Sequence, residues 1–186
     1  MPSLDYSFLQ KLQDDVSKYT CFIETGTLNG DTTFAMEPYF EKLYTIEFSE
    51  KYYIKTMSRY LGNKIYFMLG DSGIVFEYLL PKISEKSVFF LDGHWSSGDT
   101  GRSAKDCPLV EEITHINNLF KNEAIIIIDD YRLFGLSPKT GSNEDWSDIN
   151  KDKLLNILGS RINKTYHLDS ASDKNDRLII HINSVI

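Results

Sequence analysis

Six acidic residues in this chain each stand just past a short run of apolar, β-branched or aromatic residues: Glu24, Glu47, Asp71, Asp92 and the pair Asp129 and Asp130. Carboxylates brought together repel one another, so a row of them along one edge calls for a partner that is cationic, rich in hydroxyls, or a metal ion. Acidic residues also favour helix N-termini, where they accept orphan backbone N–H groups, and that role accounts for part of the row. The first acid opens the glycine loop ETGTLNGDTT, residues 24–33. Gly26 permits a sharp turn and a close ligand approach, and Gly30 lets a following helix start pack tightly. The G-x-G-x-x-G spacing of a dinucleotide site is absent, and the flanking Glu24 and Asp31 disfavour a phosphate guest.

The elements that must carry these residues follow from the same pattern. Runs at 21–24, 43–48, 65–69, 88–91 and 124–128 read as strands, and the segments 31–40, 49–61, 74–83 and 108–120 between them are long enough for crossover helices. Repeated βα units imply a parallel sheet, and open sheets of this kind bind ligands outside the carboxyl ends of their strands, where the acids fall. The run 124–128 is apolar throughout and belongs at the centre of the sheet. After it come a helix over 151–158 and strands over 164–168 and 177–185, whose short connection dictates an antiparallel hairpin. Apolar residues Leu4, Phe8, Leu12, Val16 and Tyr19 predict an amphipathic N-terminal helix. The expected architecture is α/β: one domain over 1–186, a doubly wound, Rossmann-like, seven-stranded, mostly parallel sheet with helices on both faces. The helix within 1–19 is expected to pack on or near the ligand site.

Composition narrows the function. With 20 basic against 27 acidic residues the net charge is −7, and no basic stretch offers a footprint for nucleic acid. No apolar run approaches the ~20 residues of a membrane span. The two cysteines, Cys21 and Cys107, have no metal-ligand spacing and read as reduced thiols. The expectation is a cytoplasmic protein with a small-molecule partner, neither nucleic acid nor membrane, and compatible with a homodimer.

ETGTLNGDTT together with the row of acids resembles the first motif of the class I S-adenosylmethionine-dependent methyltransferases, and Glu47 in TIEFS resembles their ribose-binding acid. The resemblance implies S-adenosylmethionine held by Glu24, Gly26, Thr27, Gly30 and Thr32, then by Glu47 and Phe48, then by Asp71 and Ser72 of LGDSG, with Asp92 beside the reacting end. The segments FLDGHW and IIDDY, residues 90–95 and 127–131, narrow the likeness to the metal-dependent O-methyltransferases of catechol and macrocin type. That resemblance implies Mg2+ or a similar divalent cation on Asp92, Asp129 and Asp130, and methyl transfer to a hydroxyl of a sugar. A catechol-like phenol is the alternative acceptor, and a non-catalytic nucleotide-binding module or a nicotinamide-dependent oxidoreductase are the rival readings.

His94 stands where the sugar-type enzymes carry a second acid, and near where the catechol type places a histidine and tryptophan, so general base, adenine contact and structural histidine all stay open for it. Asp92 shares the catalytic assignment as neighbour and cation ligand. The glycine-rich segment 96–106 reads as a mobile substrate loop, with Arg102 and Lys105 able to meet an anionic acceptor. A second wall is expected from Arg132 and Trp146, the indole serving either as a core plug or as a stacking surface.

Overall fold

The computed structural model describes residues 1–94 and 106–185. Its seven strands are β1 (Cys21–Thr25), β2 (Lys42–Glu47), β3 (Ile65–Leu69), β4 (Ser87–Leu91), β5 (Ala124–Ile128), β6 (Ile162–Leu168) and β7 (Arg177–Ile182). They form one sheet in the order β3-β2-β1-β4-β5-β7-β6. The first five strands pair in parallel, and β7 runs antiparallel to both β5 and β6. The strand order reverses between β1 and β4, which is the switch point where an open sheet offers its crevice.

Alternation sorts the sheet's side chains into two cores. Cys21, Ile23, Phe89, Leu91, Ile126 and Ile128 face one layer, formed by α4 (Ser72–Leu79), α5 (Leu109–Leu119) and α6 (Lys151–Leu158). Phe22, Val88, Phe90, Ile125, Ile127 and Ile179 face the other. That second layer holds α2 (Asp31–Met36), the partly buried side of the region after α3 (Glu50–Met57), and the N-terminal segment. β5 is buried along its whole length, as a five-residue run without a polar side chain requires.

The N-terminal segment departs from the expected continuous helix. Only α1 (Tyr6–Leu9) and a 3-10 turn at Val16–Lys18 are helical. The reason is local and tertiary together. Asp5 and Asp15 each turn a carboxylate back onto a backbone N–H, which starts new turns instead of continuing one. Between them Gln13 is drawn out to β6, its N–H donating to Tyr166 Oη at 2.8 Å and its carbonyl accepting from Lys164. Leu4, Phe8, Leu12 and Tyr19 are still buried and Val16 is partly buried, so the apolar spacing reports the buried side although the backbone is not helical throughout. The segment touches the glycine-loop side through Ser3 N–H, which donates to Thr32 Oγ1 at 3.0 Å, and through the Tyr6–Tyr39 ring stack. No helix among the described residues is long and apolar enough to cross a membrane.

Candidate active site at the carboxyl edge of the sheet

The glycine loop leaves β1 by a turn only glycine can make. Gly26 has φ +87°, and a Cβ there would lie 2.2 Å from the Asp92 backbone oxygen, so the loop after β1 is pressed against the end of β4. Gly30, with φ +73°, forms the N-cap of α2, and a Cβ on it would meet the Thr56 methyl at 2.4 Å. Leu28 between them holds φ +46° with its side chain exposed. This strained position is fastened by Glu47, whose Oε2 accepts the Leu28 N–H at 2.8 Å while Oε1 accepts the Ser49 N–H at 2.8 Å. Among the described residues each oxygen accepts only that one hydrogen bond, which leaves the acceptor pair a ribose diol needs.

Not every acid of the row reaches the edge. Glu24, expected to hold the cofactor, is only 2% exposed and accepts hydrogen bonds from Thr33 and, at 2.7 Å, from Thr45. Burial pushes its carboxyl up to about 7, against the opposing pull of those two hydroxyls. Alternation along β1 turns it into the sheet, so it braces the loop from within. Thr27 is likewise buried and shares a 2.6 Å hydrogen bond with Thr45. Thr32 accepts from Ser3, as noted above. Ser72, expected at the adenine, instead donates its hydroxyl to Glu112 Oε1 at 2.6 Å inside the α4–α5 contact. Burial holds the Glu112 carboxyl up at about 7. Asp71 caps α4 by accepting the Gly73 N–H at 2.9 Å through Oδ1, and its other oxygen has no hydrogen bond among the described residues. Phe48 is 44% exposed beside Glu47, and with Leu28 and Leu69 it leaves an apolar rim past the ends of β1, β2 and β3. Glu47 and Asp71, beside this rim, are the residues here that could hold a ribose and an amino group.

The ends of β4 and β5 carry a denser cluster. Packing at the strand ends, with Asp129, Asp130 and Glu24 nearby, pushes the Asp92 carboxyl well above the usual range, opposed by Arg177. His94 turns Nε2 to Asp130 Oδ2 at 3.2 Å and to Glu144 Oε2 at 3.7 Å, and Nδ1 to Asp92 Oδ1 at 3.6 Å. Its ring packs edge-on against Trp146 at 5.0 Å. These contacts lie among the residues that follow β4 and β5. Trp146 is a plug, 2% exposed, with Nε1 donating to Glu144 at 2.8 Å and its ring stacked on Phe134. The indole is therefore not an open stacking surface, and it fixes Glu144 and His94 from behind. A narrow cleft lined by Gly93, His94, Pro108, Glu112, Asp129 and Trp146 opens beside the cluster. Trp95 and residues 96–105 of the expected substrate loop, Arg102 and Lys105 among them, lie outside the described residues.

The cation set that the resemblance implies does not fit as a set. Asp129 is bound by Arg177, whose Nε donates to Oδ1 at 3.1 Å and whose Nη2 lies 3.4 Å from Oδ2. Oδ1 also accepts the Asp130 N–H at 3.2 Å. Burial raises the Asp129 carboxyl while Arg177 opposes. A carboxylate with both oxygens committed to a guanidinium is a weak cation ligand. Arg132, expected at the substrate, is turned back onto Asp130 and the fully buried Asp176. Arg177, Asp176, Glu112 and Glu144 escaped the sequence reading. A charged Asp176–Arg177 pair opening an otherwise apolar strand was the available signal, because a buried arginine must have a buried acid.

No protein-family model matches the chain, and no curated protein matches it. Solved structures do. The chain is similar to the O-methyltransferase TomG from Streptomyces achromogenes, solved with S-adenosylmethionine (TM-score 0.63, 13% identity, 91% of this chain and 75% of that one). It is similar to the putative methyltransferase SMU.1697c from Streptococcus mutans, solved with S-adenosylhomocysteine (TM-score 0.55, 16% identity, 91% and 93%). A third likeness is to the N-methyltransferase NodS from Bradyrhizobium japonicum WM9 (TM-score 0.59, 12% identity, 97% and 95%). Identities this low speak for architecture alone. With its strand order and its reversed last strand, the chain has the fold of the class I S-adenosylmethionine-dependent methyltransferases.

Proposed function

We propose that this chain is an S-adenosylmethionine-dependent O-methyltransferase acting on a hydroxyl of a sugar or of a sugar-containing small molecule. The observation that carries the reading is the placement of Glu47 against the Gly26 turn: a fixed carboxylate with two free lone pairs beside a backbone that tolerates close approach. Bound S-adenosylmethionine supplies an electrophilic methyl group on a cationic sulfonium. Glu47 accepts the ribose hydroxyls, Asp71 the adenine amino group, and the carboxylates around Asp92 give the edge the negative potential a sulfonium favours.

The acceptor side is the cluster after β4 and β5. A hydroxyl is a poor nucleophile until its proton leaves, and here Asp92, His94, Asp130 and Glu144 stand together to receive it. Holding the two substrates in line removes the bimolecular entropy cost, an effect worth up to about 7–11 kcal/mol. A sugar suits this wall better than a phenol, because its groups are hydroxyl-accepting carboxylates and its one described indole is buried. Because Asp129 is claimed by Arg177, the proposal routes no step through the Mg2+ or similar divalent cation that the resemblance implies. The reading is tested by incubating the full chain with methyl-labelled S-adenosylmethionine and a panel of free sugars, sugar nucleotides and catechols. Label should pass to a sugar hydroxyl, and label passing only to catechols, or to none of the panel in a protein that binds the cofactor, would remove the sugar assignment.

A further inference from the structure

Exposed apolar side chains are not spread evenly over this molecule. Of the thirteen large ones among the described residues, seven fall between residues 54 and 78, the unit of α3, β3 and α4 at one margin of the sheet. Leu69 stands at the rim described above, and the other six flank the strand edge on both faces. On one face Lys55 and Arg59 reach Asn29, and Thr56 reaches the Leu28 carbonyl. Ile54 and Met57, on the opposite side of α3, therefore lie away from the glycine loop and past β3, and Leu61 after that helix is almost fully exposed. On the other face Glu77 approaches His115 of α5, and Gly73 lies against Glu111. That leaves Ile74 and Tyr78 on the flank of α4 away from α5, on the face of the sheet where Tyr66 stacks on Tyr44.

Between these flanks β3 is an open edge. The Lys64 carbonyl and the Gly70 N–H bond to β2, so by alternation Ile65, Phe67 and Leu69 turn their N–H and C=O groups away from the sheet. The Ile65 N–H is taken by Tyr60 Oη at 3.3 Å, while no hydrogen bond among the described residues closes off Phe67 or Leu69 on that side. Edge strands are normally shielded by a lysine, a proline or a bulge. The opposite edge, β6, has Lys164 and a register shift between Ile162 and Lys164, whereas β3 has no charge, no proline and no shift.

We propose that this edge is a subunit interface, at which a second copy of the same chain pairs its β3 antiparallel to this one about a two-fold axis. Phe67 is the middle residue of the strand. An axis through it lets the two Phe67 residues exchange both backbone hydrogen bonds, and brings each Leu69 N–H to an Ile65 carbonyl. Tyr66 then comes opposite Met68 on the α4 face, and the Ile74 and Tyr78 flanks of the two α4 helices meet. Charge favours a second copy as the occupant. Two chains of net charge −7 repel wherever acids meet, but residues 54–78 hold Lys55, Arg59 and Lys64 against Asp71 and Glu77, a net charge of +1. The area is of the right order as well. A half-exposed large side chain offers on the order of 100 Å2, so the six come to roughly 600 Å2 per copy before the strand edge is added. That is at the upper end for a patch on a monomer and close to the ~800 Å2 per partner of a stable interface.

The interface stands independently of the methyltransferase reading. Sedimentation velocity on the full chain, from about 2 to about 200 μM, should show twice the 21.4 kDa chain mass, with a dimer Kd of about 10 μM or tighter. Tyr66→Lys and Ile74→Lys each place a charge at an exposed position in the seam, and each should weaken dimerisation by roughly tenfold or more with the circular dichroism spectrum unchanged. In the wild type, amide hydrogen exchange at Phe67 and Leu69 should slow by roughly tenfold from the lowest to the highest concentration. A monomer at the highest concentration overturns the proposal and leaves the margin to a different partner. A dimer that both variants leave intact, or in which the Phe67 amide exchanges as fast as in the monomer, also overturns it, because the copies then meet elsewhere. Should either variant fail to fold, the exchange of Phe67 in the wild type decides alone.

Discussion

Replacing Glu24 by glutamine should make the protein's stability less sensitive to pH, and the size of the change can be worked from the site. The Glu24 carboxyl is pushed from 4.5 to about 7 by burial. A carboxyl whose folded pKa is raised keeps its proton in the fold while the unfolded chain ionises. Its favourable contribution is therefore complete below pH 4.5 and is lost as pH rises through about 7. At about 1.4 kcal/mol per pH unit, the loss between pH 5 and pH 8 comes to roughly 2–3 kcal/mol. Glutamine keeps a carbonyl oxygen for the Thr33 and Thr45 hydroxyls and does not titrate. Urea unfolding at pH 5, 6, 7 and 8 reads the effect. Relative to wild type, Glu24→Gln should gain about 1 M in midpoint on going from pH 5 to pH 8, for a slope of 2–3 kcal/mol per M. Parallel pH dependences in the two proteins would refute the reasoning, because they would mean that Glu24 is ionised in the fold at all four pH values.

Three further outcomes follow from the same contacts. Arg177→Met leaves Asp129 charged and unpaired in the interior and should cost about 3–5 kcal/mol in urea unfolding, most of it recovered in the double variant with Asp129→Asn. Equal stability of single and double variants would mean that the ion pair is not what holds the two side chains. Gly26→Ala forces a Cβ onto the Asp92 carbonyl at a positive φ and should lose more than ~1 kcal/mol of stability, read by thermal melting. Glu47→Ala removes the acceptor for the Leu28 and Ser49 amides, and by the proposed ribose contact it should weaken S-adenosylhomocysteine by about tenfold or more in calorimetry.

How far the sequence carries can be argued from particular elements. β3 and β5 have the bounds read from residues 65–69 and 124–128, and the other parallel strands differ by a residue or so at an end, because apolar runs bounded by polar turns leave little freedom of register. The hairpin direction of β6 and β7 followed from the short connection alone. The N-terminal helix was legible as a buried stripe but not as backbone, since the pull of Tyr166 and Lys164 on Gln13 is tertiary. The same limit applies at the site. Position after a strand located Glu47, Asp71 and Asp92, yet alternation and neighbours decide whether a carboxylate faces outward, and Glu24 faces inward. Nothing in IIDDY tells that the first aspartate is claimed by Arg177, 48 residues later. The cluster around His94 draws Glu144 and Trp146 from a loop whose sequence is polar and without period, so only the folded chain brings them together.

The central claim, a cofactor site built on Glu47 and the Gly26 turn, is tested most directly by isothermal titration calorimetry of the full chain with S-adenosylmethionine and with S-adenosylhomocysteine. The account predicts one site for each, with a Kd of about 100 μM or tighter, near −5.5 kcal/mol or better. No heat of binding from either ligand, in a protein shown by circular dichroism to be folded, would contradict it.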